Sequence, residues 1–181
     1  MLLINVHLTH EGWDEEKQEF IDPISYTLKL EHSLVALSDW ESKWHKPFLS
    51  KDQKTEEEIL DYVKFMTIGD DVDPDIYRYL TANDFKKINE YIENPMTATT
   101  FAEDKSSKGS REIVTSELIY YWMIALTIPF ECKYWHLNRL LTLIRVCNIK
   151  NAPPKKMSKG EIMRRNSALN EARRKQLNSK G

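Results

Sequence analysis

The chain has 181 residues, with 26 Lys and Arg against 28 Asp and Glu, a net charge of −2 and a hydrophobic fraction of 41%. This length suits one domain of ordinary size with appendages, able to bury most of the apolar surface that the unfolded chain exposes. The apolar fraction is too low for a membrane bundle, and eight Tyr, six Phe and five Trp favour packed helices or an adhesive interface over disorder.

The first residues, MLLINVHL at 1–8, are apolar and partly alternating, which predicts a strand. Gly12 and Asp14 offer a turn, and Phe20-Ile21 and YTLKL at 26–30 offer one or two further strands separated by Asp22-Pro23. A small ribbon of this kind cannot hold together alone and must pack on helices. Residues 31–44 are predicted helical, with Leu34, Leu37 and Trp40 or Trp44 on one side. His45-Lys46-Pro47 ends that helix, and Phe48-Leu49 reads as an anchor dropped into a core. Thr55 followed by three Glu residues is a helix start, because acidic side chains suit the positive end of the helix. Ile59, Tyr62, Val63 and Met66 are its expected buried face.

Asp70, Asp71, Asp73 and Asp75 invite a calcium reading. Counted from Asp71, however, Ile76 and Ala82 stand where the loop requires Gly and Glu, so the expectation is a solvated acidic loop. A short helix over 74–80 follows. Thr81 with Asp84 then starts another, whose inner face is Phe85, Ile88, Tyr91 and Ile92 and which Pro95 closes. Residues 96–101, MTATTF, are expected to be extended, and 102–110, AEDKSSKGS, mobile.

Residues 111–147 hold the densest apolar content. They are read as two helices, 111–127 and 131–147, broken where Pro129 cannot donate a hydrogen bond and biases Ile128 away from helical angles. Ile113, Leu118, Tyr121, Trp122 and Ala125 define the expected inner face of the first. Trp135, Leu137, Leu140, Leu141, Ile144 and Val146 define that of the second. Residues 148–156, with Pro153-Pro154, mark a boundary. Ser158 with Glu161 then starts a last helix over 160–177 that has few apolar residues to bury. The expected organisation is a mainly α domain over 1–150 with a small N-terminal β-ribbon, then a linker and a projecting basic C-terminal helix over 151–181.

Charge is unevenly spread: residues 155–181 carry nine Lys and Arg against two Glu, and the remainder 17 basic against 26 acidic groups. A basic tail on an acidic body signals a partner. Arg164, Arg165, Arg173, Arg174 and Lys155-Lys156 suit phosphate contacts, but no aromatics are interleaved for base stacking, which disfavours nucleic acid. Contacts with an acidic body, including self-association, use the same charges. The longest uncharged run, 118–130, is shorter than the roughly 20 residues a spanning helix needs, so the expectation is a soluble protein with no membrane partner.

Cys132 and Cys147, placed on one predicted helix, are about 22 Å apart by helical rise, beyond disulfide reach; with no signal peptide recognised, a reducing compartment is expected. Cys132 and His136 sit one helical turn apart and suit two metal ligands, yet only Glu131 stands near to complete a set. His7, His10, His32 and His45 are scattered and read as surface groups. The five glycines form no phosphate loop, and no constellation fulfils catalytic roles. The expectation is a non-enzyme with no catalytic residue, cofactor or metal.

Several segments carry a resemblance. LEHSLVALSDWESKWHKPFL at 30–49, PMTATTF at 95–101, the region 111–156 with IYYWMIALTIPFECKYWHLNRLLTLIRVCNIKN, and RRNSALNEARRKQLN at 164–178 together resemble tail assembly chaperones of tailed bacteriophages, small proteins encoded beside the tape measure protein. The resemblance implies a non-enzymatic helper in the host cytoplasm. Such a helper binds the tape measure protein until tail tube protein displaces it, and is usually absent from the finished particle. Many such families also make a longer, frameshifted form. Trp40, Trp44, Phe48, Trp122, Trp135 and Met163 are the apolar candidates for core or partner contact, and for each the core reading is favoured over the interface. The alternatives are a structural virion protein, such as a tail-completion or neck component, and a nucleic-acid-binding adaptor using the basic tail.

Overall fold

The computed structural model describes residues 1–7, 12–14, 19–21, 25–69, 72–101, 112–153 and 158–178. The fold is mainly helical with a small antiparallel N-terminal sheet, as expected. Contacts divide the chain into two units, Met1–Asn148 and Ile149–Gly181. The expected break at Asp22-Pro23, His10, the 102–110 stretch, Asp70, Asp71 and Lys155-Lys156 lie outside the described residues.

In the first unit, β1 (Leu2–His7) pairs antiparallel with β4 (Ser25–Leu30), Leu2 facing Leu30 and His7 facing Ser25. Strand alternation sends Ile4, Val6, Leu28 and Leu30 inward and leaves Leu3 on the surface. Between them β2 (Gly12–Asp14) pairs with β3 (Glu19–Ile21). Gly12 and Asp14, expected to turn, are therefore strand residues, and the ribbon has two paired stretches, β1–β4 and β2–β3.

Helix α1 (Leu34–Trp44) starts three residues later than the apolar pattern predicts, because Ser33 caps it by accepting the Ala36 N–H at 3.2 Å. Its two sides serve two cores. Ala36 and Trp40 join Ile4, Val6, Leu28 and Leu30 in the first, with Tyr62, Val63 and Met66 of α2 (Glu56–Met66), Ile76 and Tyr77 of the 3₁₀ helix Pro74–Tyr79, and Ile88 and Tyr91 of α3 (Ala82–Glu93). Leu34 and Leu37 join Ile119 and Met123 of α4 (Ser116–Ala125), Cys132 of the 3₁₀ helix Phe130–Tyr134, and Leu137, Leu140 and Ile144 of α5 (Leu137–Asn151) in the second.

Capping boxes at Thr55/Glu58 and Thr81/Asp84 start α2 and α3 as the sequence predicts. The α2 face is rotated from expectation. Tyr62, Val63 and Met66 are buried, but so are Glu58 and Asp61, while Ile59 is exposed. Inward carboxylates are tolerated because Lys46 pairs with Glu58, and Lys43 and Lys64 with Asp61, keeping the charges partnered. Phe48 stacks on the Tyr62 ring at 3.9 Å and meets Trp40 edge-on, whereas Leu49 is exposed. Residues 96–101 form no strand, and Met96 takes a left-handed φ of 49°.

The central pair departs most from prediction. α4 begins at Ser116, not at 111, under a Thr115 cap, and Ile113 lies exposed before it. Its buried residues are Ser116, Ile119 and Met123, so Tyr121, expected inside, faces out. The break arrives before Pro129: Thr127 has φ 55°, and Pro129 caps the 3₁₀ helix. Residues 131–147 are thus not one helix, and Cys132 and Cys147 lie on different elements, both as free thiols. The helical-turn spacing of Cys132 and His136 is lost with it. Of the expected α5 face, Leu137, Leu140 and Ile144 are buried, and Trp135, Leu141 and Val146 are half-buried.

In the second unit, Ser158 and Glu161 form a capping box for α6 (Lys159–Leu177), and Asn178 ends it with φ 52°. No residue of α6 is buried.

Candidate interaction surface

Two apolar surfaces and one buried polar seam stand out in the first unit. The first surface is the outer side of α4 and the 3₁₀ helix after it. Helix α4 is held at its N-terminus from another element: Glu41 of α1, itself buried, accepts the Ser116 N–H at 2.7 Å with one oxygen and the Phe48 N–H at 2.9 Å with the other. An anionic oxygen at a helix N-terminus satisfies an otherwise orphan donor and the helix dipole together. Ile119 and Met123 turn inward, Tyr120 and Trp122 pack at the edge of the second core, and other apolar residues of α4 and the 3₁₀ helix are left in water. Tyr121 and Ile124 are each 63% exposed, Tyr134 is 61% and Phe130 53%. Nearly all of α4 is apolar, so one helix supplies both a core face and a surface face.

The second surface is a groove of about 470 Å³ lined by Ile59, Leu60, Tyr77, Leu80 and Phe85, with Glu56, Arg78 and Asn89 at its polar positions. A hollow of about 230 Å³, reaching Phe48, Tyr62 and Ile92, shares Ile59, Phe85 and Asn89 with it. The outward turn of Ile59 forms this floor, at the cost of burying the adjacent carboxylates. Hydrogen bonds from Lys46 and the Thr55 N–H hold the Glu58 carboxyl below its ordinary range. Burial works to raise Asp61, but Lys43 and Lys64 outweigh it and hold that carboxyl low as well.

The polar seam lies where the segments preceding α1 and α5 meet. Ser33 and His136 form an isolated antiparallel bridge, and the Leu137 N–H donates to the His32 carbonyl at 2.7 Å. Contrary to the expectation of a surface group, His32 is buried, with Nδ1 2.5 Å from the Tyr62 hydroxyl and its ring 5.1 Å edge-on from that of His136. His136 is also buried, 3.0 Å from the Tyr91 carbonyl through Nε2. Asn138 donates to the Ile92 and Asn94 carbonyls at 2.8 and 2.9 Å, so His136 and Asn138 together cap the C-terminal end of α3.

The residues singled out from the sequence are not gathered into one site. Trp40 is fully buried and donates Nε1–H to the Glu58 carbonyl at 2.8 Å, which makes it a core residue. Trp44 and Phe48 are half-buried against the first core, and Trp122 and Trp135 against the second; Arg139 lies over the Trp135 ring at 4.0 Å. Met163, Arg164, Arg165, Arg173 and Arg174 are exposed along α6. The residues that build the two apolar surfaces (Tyr121, Ile124, Phe130 and Tyr134, and Ile59 with Leu60, Tyr77, Leu80 and Phe85) are mostly ones that periodicity assigns inward or leaves unmarked.

Burial, with Glu131 adding to it, pushes the Cys132 thiol up. Among the described residues no group of three or more His, Cys, Asp or Glu side chains is gathered to hold a metal ion, and no helix is long and apolar enough to cross a membrane. Comparison with protein-family models, curated proteins and solved structures finds no match to this chain.

Proposed function

We propose that this chain is a non-enzymatic assembly chaperone of the tailed-phage type. It works in the host cytoplasm, holds an aggregation-prone tape measure protein, and gives it up to tail tube protein. The observation that carries the reading is the outer face of α4 and the following 3₁₀ helix, where Tyr121, Ile124, Phe130 and Tyr134 stay in water although the helix already contributes a full inner face. Large exposed apolar side chains sharing one helix face, as Tyr121 and Ile124 do three residues apart, mark a surface for another macromolecule. Tyr suits reversible contact because its ring is apolar and its hydroxyl still hydrogen-bonds. An amphipathic client helix fits such a face, and the exposed arginines of α6 provide a second, salt-sensitive contact.

Co-expression with the long helical protein encoded by a neighbouring reading frame tests this. The client is expected to shift into the soluble fraction and co-purify, and Tyr121→Lys with Ile124→Lys is expected to abolish both effects. A client equally insoluble with and without the chain rejects the proposal. Finding the chain at stoichiometric level in purified particles points instead to a structural virion component.

A further inference from the structure

The rings of His32 and His136 meet in the seam between the two cores: one precedes α1, the other precedes α5, and each bonds to an element of the first core. Hydrogen bonding fixes the form of His136. Its Nε2 faces the Tyr91 carbonyl, which only accepts, so Nε2 carries the proton; its Nδ1 accepts the Asn138 N–H at 3.3 Å, so Nδ1 carries none. A second proton on Nδ1 opposes that N–H and breaks the turn that starts α5. A second proton on His32 sets a cation against the His136 ring.

The charged and titratable groups around the pair are already engaged. Glu31 accepts from the Tyr91 hydroxyl at 2.7 Å and pairs with the Met1 amine at 2.6 Å. Glu41, on α1, accepts the Phe48 and Ser116 N–H groups. Tyr62 on α2 and Tyr91 on α3 remain neutral, both raised by burial first and then by Glu41 and Glu31 respectively. Helix α5 presents Asn138, which is uncharged.

We propose that the buried His32–His136 pair is an acid-sensitive latch: both rings must be neutral for the seam between the two cores to stay closed, and proton uptake opens the seam while the sheet still holds. Burial first, and then the neighbouring His136, bring His32 down to about 3; burial also lowers His136, against the opposing pull of the Tyr91 carbonyl and Glu31. The folded state therefore binds fewer protons than the unfolded chain below its ordinary histidine value of about 6.5. Stability is complete above that pH and falls as pH drops, by up to about tenfold in the folding constant per pH unit for each ring. The buried carboxylates Glu58, Asp61 and Asp84 are held low and act only below about pH 4.5, a separate window.

The test is urea unfolding of the full chain between pH 7.5 and 5.0, for the wild type, His32→Gln, His136→Gln and the double variant. The wild-type midpoint is expected to fall below pH 6.5, each single variant to show a shallower fall, and the double variant to be nearly flat. A double variant with the wild-type slope overturns the proposal. Imidazole NMR of the wild type gives a reading that needs no variant to fold: the His32 and His136 rings should keep neutral-form shifts down to pH 5.5. Titration of both rings near 6.5 in the folded protein overturns it equally. Amide exchange at pH 5.5, corrected for intrinsic rates, should release the Leu137 N–H before the β1–β4 amides; simultaneous release denotes uniform unfolding and rejects a latch.

Discussion

Trp40 and Trp44 are one helical turn apart on α1 and experience different chemistry. Trp40 places Nε1–H on the Glu58 carbonyl, whereas the buried Trp44 Nε1 finds no acceptor among the described residues. Replacing either by Phe removes an indole N–H, and the consequences should diverge. Trp40→Phe removes a buried hydrogen bond to the Glu58 carbonyl and is expected to cost about 0.5–1.5 kcal/mol in urea unfolding, whereas Trp44→Phe should cost clearly less. Glu41 is the other residue whose role is out of proportion to its place in the sequence. Its two oxygens join the N-terminus of α4 to the loop after α1, across 75 and seven residues of chain. Glu41→Ala removes two charge-assisted bonds to backbone donors, one buried and one part-buried, and a loss of about 2–4 kcal/mol is expected from equilibrium unfolding.

At the scale of elements, caps are readable in the sequence and faces are not always so. Ser and Thr followed three residues on by Glu or Asp mark the starts of α2, α3 and α6, because the capping box is local chemistry that needs no tertiary partner. The alternation of β1 and β4 is equally local. For α4, SELIYYWMIA offers apolar residues in nearly every direction, so spacing alone does not choose between Tyr121 and Ile119 as the inward residue. That choice is made by the fold, in which the Thr115 cap and Glu41 both engage the start of the helix. For α2 the buried carboxylates are illegible, since only the fold brings Lys43 and Lys46 against them. His32 and His136, far apart in the sequence, carry no signal of their meeting. The exposed side of α4 gives its own prediction. Tyr121→Lys with Ile124→Lys should alter unfolding stability by no more than about 0.5 kcal/mol, because neither side chain is part of the core, and the lysine replacing Tyr121 would stand one turn after Glu117. A large loss of stability would mean that this face is covered in the folded protein.

At the scale of the whole molecule, α6 gives a prediction of its own. No residue of α6 is buried, so removing residues 155–181 should leave the thermal midpoint of the remainder within about 2 °C while lowering the helical circular dichroism signal. The two cores of the first unit are not separable, because α1 belongs to both. All buried residues of the first core fall between Ile4 and Tyr91, whereas the second needs Leu34 and Leu37 together with residues from Ile119 to Ile144. During synthesis the first core is therefore complete while Leu34 and Leu37 are still uncovered, and they wait for α4 and α5 to emerge. A fragment ending at Phe101 should accordingly fold its sheet and α1–α3, bind a hydrophobic dye strongly and self-associate, and lose both properties when the chain is extended past Ile144. The shared helix thus imposes an order of assembly on the nascent chain, with a brief adhesive stage between its two steps.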